Sequence, residues 1–227
     1  MIDKMKFLFH FLKFATDPTN TPEVFRIIDS LRDGISPEQT VKLGELYMQD
    51  PDFKALYSSN KPEYLNRPYD LKSLAQHRPN TLGHQYAAAM LDKGFDPEFF
   101  EYLKVEDPVT YFATRIRKTH DIWHTVTGFG TDVPGELGLQ GFYLGQFTSP
   151  APVAIICSGL LFVIARKDLP LLKNTFDQIV AGYEAGQKAK PLAGVIWEDH
   201  WDRDLNELRQ QFRIPVYDHE LQRQQAS

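Results

Sequence analysis

Four side chains able to hold a metal ion lie close together in the stretch RKTHDIWHTVTGFGTDVPGELGLQG: His120, Asp121, His124 and, after eleven intervening residues, Glu136. On a helix each residue turns about 100°, so His124 lies about 40° round from His120, and Asp121 about 60° beyond His124. The three fall within an arc of about 100°. Two imidazoles and a carboxylate on one helix face are ligand types that zinc, iron and manganese accept. A His/Asp pair on a helix is also a common hydrogen-bonded surface pair. The second histidine at helical spacing is what turns attention to a metal.

The elements that must position these groups are legible around them. Asp107-Pro108 opens the helix that carries the histidines, with Phe112, Ile116, Ile122, Trp123 and Val126 on its buried sides. Gly128 and Gly130 end it, and Thr131-Asp132-Val133-Pro134 reads as the capped start of the next helix. Glu136 then occupies the first turn of that returning helix. So short a connection predicts a helical hairpin with the ligand-type residues converging. Arg117, one turn before His120, falls in the middle of the same arc. It could orient Asp121 or bind an anionic substrate group. Arg115 points to the opposite side.

Glycines recur at Gly135, Gly138, Gly141 and Gly145. Each costs a helix up to about 1 kcal/mol, so their number predicts close approach by something, a neighbouring helix or a slender lipid chain. The apolar runs 137–147 and 152–165 place greasy surface beside the polar motif. The second run is too short for an ordinary membrane span and predicts a core helix. It holds the only cysteine, Cys157, expected to be a buried, inert thiol; one cysteine excludes an internal disulfide and fits a reducing compartment.

Other segments read as helices: one begun by Ser36-Pro37-Glu38-Gln39, one from Thr81 to Leu91 ended by Gly94, one from Leu171 to Ala185, and one from Trp197 to Phe212. The stretch 58–79, polar and dotted with proline, predicts a loop. Strand alternation is scarce, so the expected fold is all-α, a single-domain multi-helix bundle. An N-terminal helical region over 1–60 and a core over 80–215 are expected to form one continuous domain over 1–227. The 227 residues are 42% hydrophobic with net charge −5, which suits a folded chain and argues against nucleic acid as a partner. The first eighteen residues lack a cleavage site and an arginine-rich character. They predict a mature bacterial cytoplasmic protein, at most peripheral to the inner membrane, whose first segment is a docking or membrane-surface helix with Phe7, Phe9, Phe11 and Phe14 spread too broadly round it for a clean amphipathic stripe.

His-Asp-x-x-His, eleven residues, Glu resembles the signature of the coenzyme Q (ubiquinone) biosynthesis protein 4 family. Tyr111, Arg115 and Arg117 resemble that family's approach to the motif, and Trp197-Glu198-Asp199-His200-Trp201 its C-terminal segment. The likeness runs from about Leu82 to Pro215. It implies a divalent metal (Zn, Fe, Mn or Mg) held by His120, Asp121, His124 and Glu136. It also implies catalysis there, namely oxidative decarboxylation at ring carbon 1 of an isoprenoid-tailed quinone precursor. Arg117, Gly138, Gly141 and Gly145 are the expected substrate contacts. Partners implied are other quinone biosynthesis proteins, a membrane surface and a second copy in a homodimer. The alternative is a non-catalytic lipid-binding scaffold for those enzymes. A metal-dependent hydrolase is weaker, because zinc peptidases place glutamate where Asp121 stands.

Overall fold

The computed structural model describes residues 4–217 except 19, 60, 62, 101 and 102; the ends of the expected domain, 1–3 and 218–227, lie outside the described residues. The fold is all-α, as expected. Helices α1 (Lys4–Thr16), α2 (Thr21–Asp33), α3 (Pro37–Tyr47), α4 (Pro51–Ser58), α5 (Glu63–Asn66) and α6 (Leu71–Leu74) precede α7 (Leu82–Lys93) and α8 (Pro108–Thr127). There follow α9 (Val133–Gln146), α10 (Pro150–Arg166), α11 (Leu169–Lys188) and α12 (Leu205–Phe212). Among the described residues the only β-type pairing is an isolated bridge between Thr81 and Asp204.

Two compact units make up the chain: 1–39 with 129–189 and 215–227, and 40–128 with 190–214. Neither is a contiguous stretch, and the boundary near residue 40 falls inside the expected N-terminal region.

In the first unit Phe14, Ile27, Leu137, Ile155 and Ile156 form a core drawn from α1, α2, α9 and α10. Helices α9 and α11 run alongside each other in the same direction. A Cβ added to Gly141 would lie 2.3 Å from the Ile179 carbonyl oxygen, and one on Gly145 2.5 Å from that of Tyr183. From the other side, a Cβ on Gly182 would lie 2.0 Å from the Gly138 oxygen. The glycines are there because backbone meets backbone.

The second unit is rich in packed rings. Tyr47 stacks on Phe112 at 4.0 Å between centroids, and Phe53 meets Tyr111 and Phe112 edge-on. Tyr69, Tyr86 and Trp201 form a separate triangle, with centroids 5.2–5.8 Å apart.

Several expectations need correction. The stretch 58–79 contains the two short helices α5 and α6, the latter capped by Asp70. The expected helix from Trp197 to Phe212 is a 3-10 turn, Trp197–His200, followed by α12. The break has a cause: residues 201–203 turn their carbonyls to the start of α7, where Leu82 N–H donates to Arg203 and Gly83 N–H to Trp201, both at 2.9 Å. Asp204 then caps a fresh helix through Asn206 and Glu207. Cys157 is exposed, not buried, because α10 buries only one side and leaves Val153, Leu161 and Ile164 in solvent as well.

Candidate metal centre

Helix α8 begins with a capping box. Asp107 accepts from the Thr110 N–H at 2.8 Å, and the Thr110 hydroxyl accepts from the Asp107 N–H at 3.0 Å. Such caps stabilise a helix by about 1 kcal/mol and fix its first turn. Rotation about the axis is fixed by burial of Ile122, Trp123 and Val126, with the indole N–H donating to Thr119. That register leaves His120 half-buried and His124 buried. The two Nε2 atoms are 3.2 Å apart with the rings nearly perpendicular. Two nitrogens bound to one tetrahedral ion at 2.0–2.1 Å would be separated by roughly 3.3 Å. The pair already has that spacing, which is also that of a hydrogen bond between the two rings.

Gly128, at φ 83°, ends α8, and Asp132 caps α9 by accepting from the Gly135 N–H. Gly135 is required by the turn, because a Cβ there would lie 2.2 Å from the Gly130 oxygen. Glu136 stands in the first turn of α9, where the helix dipole favours a carboxylate. His120, His124 and Glu136 are thus three side chains that can each offer one ligand atom. The donor set suits a borderline divalent cation such as zinc or iron.

Among the described residues that grouping does not include Asp121, the fourth expected ligand. Its charge also acts on the buried Tyr86 hydroxyl, which is held well above the ordinary phenol range, first by burial and next by Asp121. Arg117 is buried on the same helix. Gly138, Gly141 and Gly145, expected as substrate contacts, face other parts of the chain. Phe129 and Gln178 meet the first, and the backbone of α11 the other two.

What the sequence left without a role is the clamp behind the histidines. Arg115 is 1% exposed, and its guanidinium binds both oxygens of Glu198 at 2.6 and 2.7 Å. It also donates to the carbonyls of Tyr64 and Val195, while the Tyr69 hydroxyl donates to Glu198 at 2.6 Å. Burial pulls the Glu198 carboxyl upward, but Arg115 and the hydrogen bonds more than offset it and hold it below its usual range. Three positions on, Lys118 is buried, paired with Glu98 and 4.1 Å from the Tyr69 ring centroid. Loss of water lowers its ammonium pKa. These groups position α8. The available signal was Arg115 on the wheel face away from the ligand arc, which has to be buried and so needs a carboxylate; the separation of 83 residues hid which one.

The sequence profile of the family "Coenzyme Q (ubiquinone) biosynthesis protein Coq4" matches residues 28–218. The chain belongs to this family. Among curated Coq4 relatives, the ubiquinone biosynthesis protein COQ4 homolog, mitochondrial, of Aedes aegypti is 30% identical over 173 residues, 74% of this chain and 61% of that protein. The Uncinocarpus reesii COQ4 protein is 31% identical over 160 residues, 68% of this chain and 55% of its own. The chain thus spans little more than half the length of these curated relatives. A crystal structure of a Nostoc punctiforme protein, itself named for ubiquinone biosynthesis, superposes with a TM-score of 0.76 at 29% identity, covering 93% of this chain and 98% of that one.

Proposed function

We propose that this Coq4 chain acts in coenzyme Q biosynthesis by binding an isoprenoid-tailed aromatic precursor at a divalent metal held by His120, His124 and Glu136. The reaction is oxidative decarboxylation at ring carbon 1, in which the carboxyl group leaves as carbon dioxide and a hydroxyl takes its place. One dioxygen and two reducing equivalents from an external donor balance it, with water as the second product.

The observation that carries the reading is the donor set itself, two histidines at ligand spacing with one carboxylate. Three protein ligands are the pattern of catalytic sites, which keep a coordination position for substrate, whereas structural sites fill all four. Such a metal supplies Lewis-acid polarisation of the head group and a template for it. The chain's own groups do the rest. The rigid start of α8 and the Gly135 turn set the donors, Arg115 and Glu198 keep α8 from rotating, and Arg117 supplies a cation one turn from His120. Asp121 joins as an outer carboxylate.

The test is metal analysis of purified protein together with incubation of the carboxylated precursor with each metal, and complementation of a deletion strain by His124→Ala. We expect one metal per chain, conversion with one of the metals, and failure of the variant to complement. If no metal gives product and the variant complements normally, the reading fails. Metal binding with retained precursor but no turnover would instead point to a lipid-holding scaffold.

A further inference from the structure

Helix α1 carries apolar side chains on two faces, and among the described residues only one of them packs into the core of its unit. Phe14 is buried in the core of the first unit with Phe7 packed against it, and the Phe11 carbonyl accepts from Ser158 on α10 at 2.8 Å. His10 and Lys13 grip the fully buried carboxylate of Glu23 on α2 at 2.6 and 2.7 Å. Rotation of α1 is therefore fixed. Held that way, it turns Met5 (77% exposed), Phe9 (61%), Leu12 (49%) and Leu8 (47%) to solvent.

At about 100° per residue these four occupy an arc of about 100°, a continuous stripe. Lys6 lies about 110° to one side of its centre and Lys4 about 90° to the other, while Lys13, on the Lys6 side, is held by Glu23. The helix, KMKFLFHFLKFAT, contains no acidic residue, and the first to follow is Asp17. A solvent-facing apolar stripe with lysine on both margins is the pattern of a helix lying in the plane of a lipid interface, its aliphatic lysine stems reaching up to the headgroups. No helix among the described residues is long and apolar enough to cross a membrane. Exposed apolar residues on α11 differ in charge, Phe176 and Val180 being flanked by Asp177 and Glu184, while those on α10, Val153, Leu161 and Ile164, meet basic residues only at the helix end, Arg166 and Lys167. A second copy is a poor occupant of the α1 stripe, because a two-fold contact sets like patches against each other and would bring lysine margins together.

We infer that α1 docks the protein on an anionic membrane surface through Met5, Leu8, Phe9 and Leu12. The helix begins before residue 28, where the family match starts, and the inference stands apart from the metal reading. Docking aligns α1 parallel to the bilayer, with the stripe in the headgroup region and the Glu23 side of the helix still on the protein.

The full chain is mixed with sedimentable vesicles of phosphatidylcholine alone or with phosphatidylglycerol at about 30 mol%, and bound protein is measured at low and at physiological salt. Binding is expected to the anionic vesicles, weakened by salt. Leu8→Glu with Phe9→Glu should lower affinity at least about tenfold, and each of Lys4→Gln and Lys6→Gln by up to about fivefold. Val180→Glu, an equally exposed change on α11, should bind as the parent chain does. Circular dichroism confirms that each variant is folded, and gel filtration reports its assembly state. Absence of binding to anionic vesicles, equal binding by the double variant, equal loss in Val180→Glu, or a double variant that changes only the assembly state would each overturn the inference.

Discussion

His120 and His124 sit one turn apart with their Nε2 atoms already at the spacing of two ligands on one ion, so metal affinity should depend steeply on each imidazole and little on the helix between them. Losing an outer-shell partner typically costs 10–100-fold in affinity, and losing a ligand costs more. His124→Ala should therefore weaken metal binding by more than about 100-fold with the helical circular dichroism unchanged. Asp121→Asn should fall within about 10–100-fold if Asp121 acts from outside the donor set. A competition titration with a chromophoric chelator measures both. Equal losses would make Asp121 a ligand after all. The second residue-scale consequence concerns Arg115 and Glu198. Removing one partner of a buried ion pair strands the other and costs about 3–5 kcal/mol. Glu198→Ala should lower the melting temperature by roughly 10 °C in a chain of this length. A shift of only a degree or two would show that the pair is neutral to the fold.

At the scale of elements, the α9–α11 contact is where small changes should act most strongly. A methyl group on Gly141 or Gly182 would meet a backbone oxygen at 2.3 or 2.0 Å, and a carbonyl in a helix cannot rotate away as a side-chain tip can. Overpacking of this kind costs about 1–3 kcal/mol, so Gly182→Ala should destabilise despite alanine's better helix propensity. Gly94→Ala offers a contrast: that site is open, and its strain comes only from φ 64°. Urea unfolding of the two variants separates them; unchanged stability in Gly182→Ala would mean that the helices are free to part. Much of this was legible beforehand. The caps Asp107 and Asp132 and the stops Gly94 and Gly128 all follow from local chemistry acting over a few residues. The recurrence of Gly138, Gly141 and Gly145 signalled close approach, but its partner lies about forty residues away on α11. The break at residues 201–204 was hidden for the same reason, since it exists to serve the start of α7.

For the whole molecule, the buried carboxylates set the response to acid. Glu23 lies in the first unit among His10, Lys13 and Arg26, and Glu198 in the second with Arg115. Burial raises each carboxyl pKa, yet the cations and hydrogen bonds around it prevail and leave it below the ordinary value of 4.5. A carboxyl whose pKa is lower in the folded chain binds fewer protons there than in the unfolded chain. Its contribution is thus complete above the unfolded value and disappears as pH falls through the folded one. Stability should be nearly flat in this respect from pH 7 to about 5, then fall progressively below about pH 4.5 in both units. Each group can add up to about 1.4 kcal/mol per pH unit to that slope. Glu23→Gln and Glu198→Gln should be less stable at pH 7 and also less acid-sensitive, because the proton that would neutralise the carboxylate has no site to occupy. Denaturant midpoints at pH 7, 5, 4 and 3.5 read both effects. A variant that loses stability at pH 7 but keeps the parent slope below pH 4.5 would show that the acid response lies in other groups, and would remove Glu23 or Glu198 from that role.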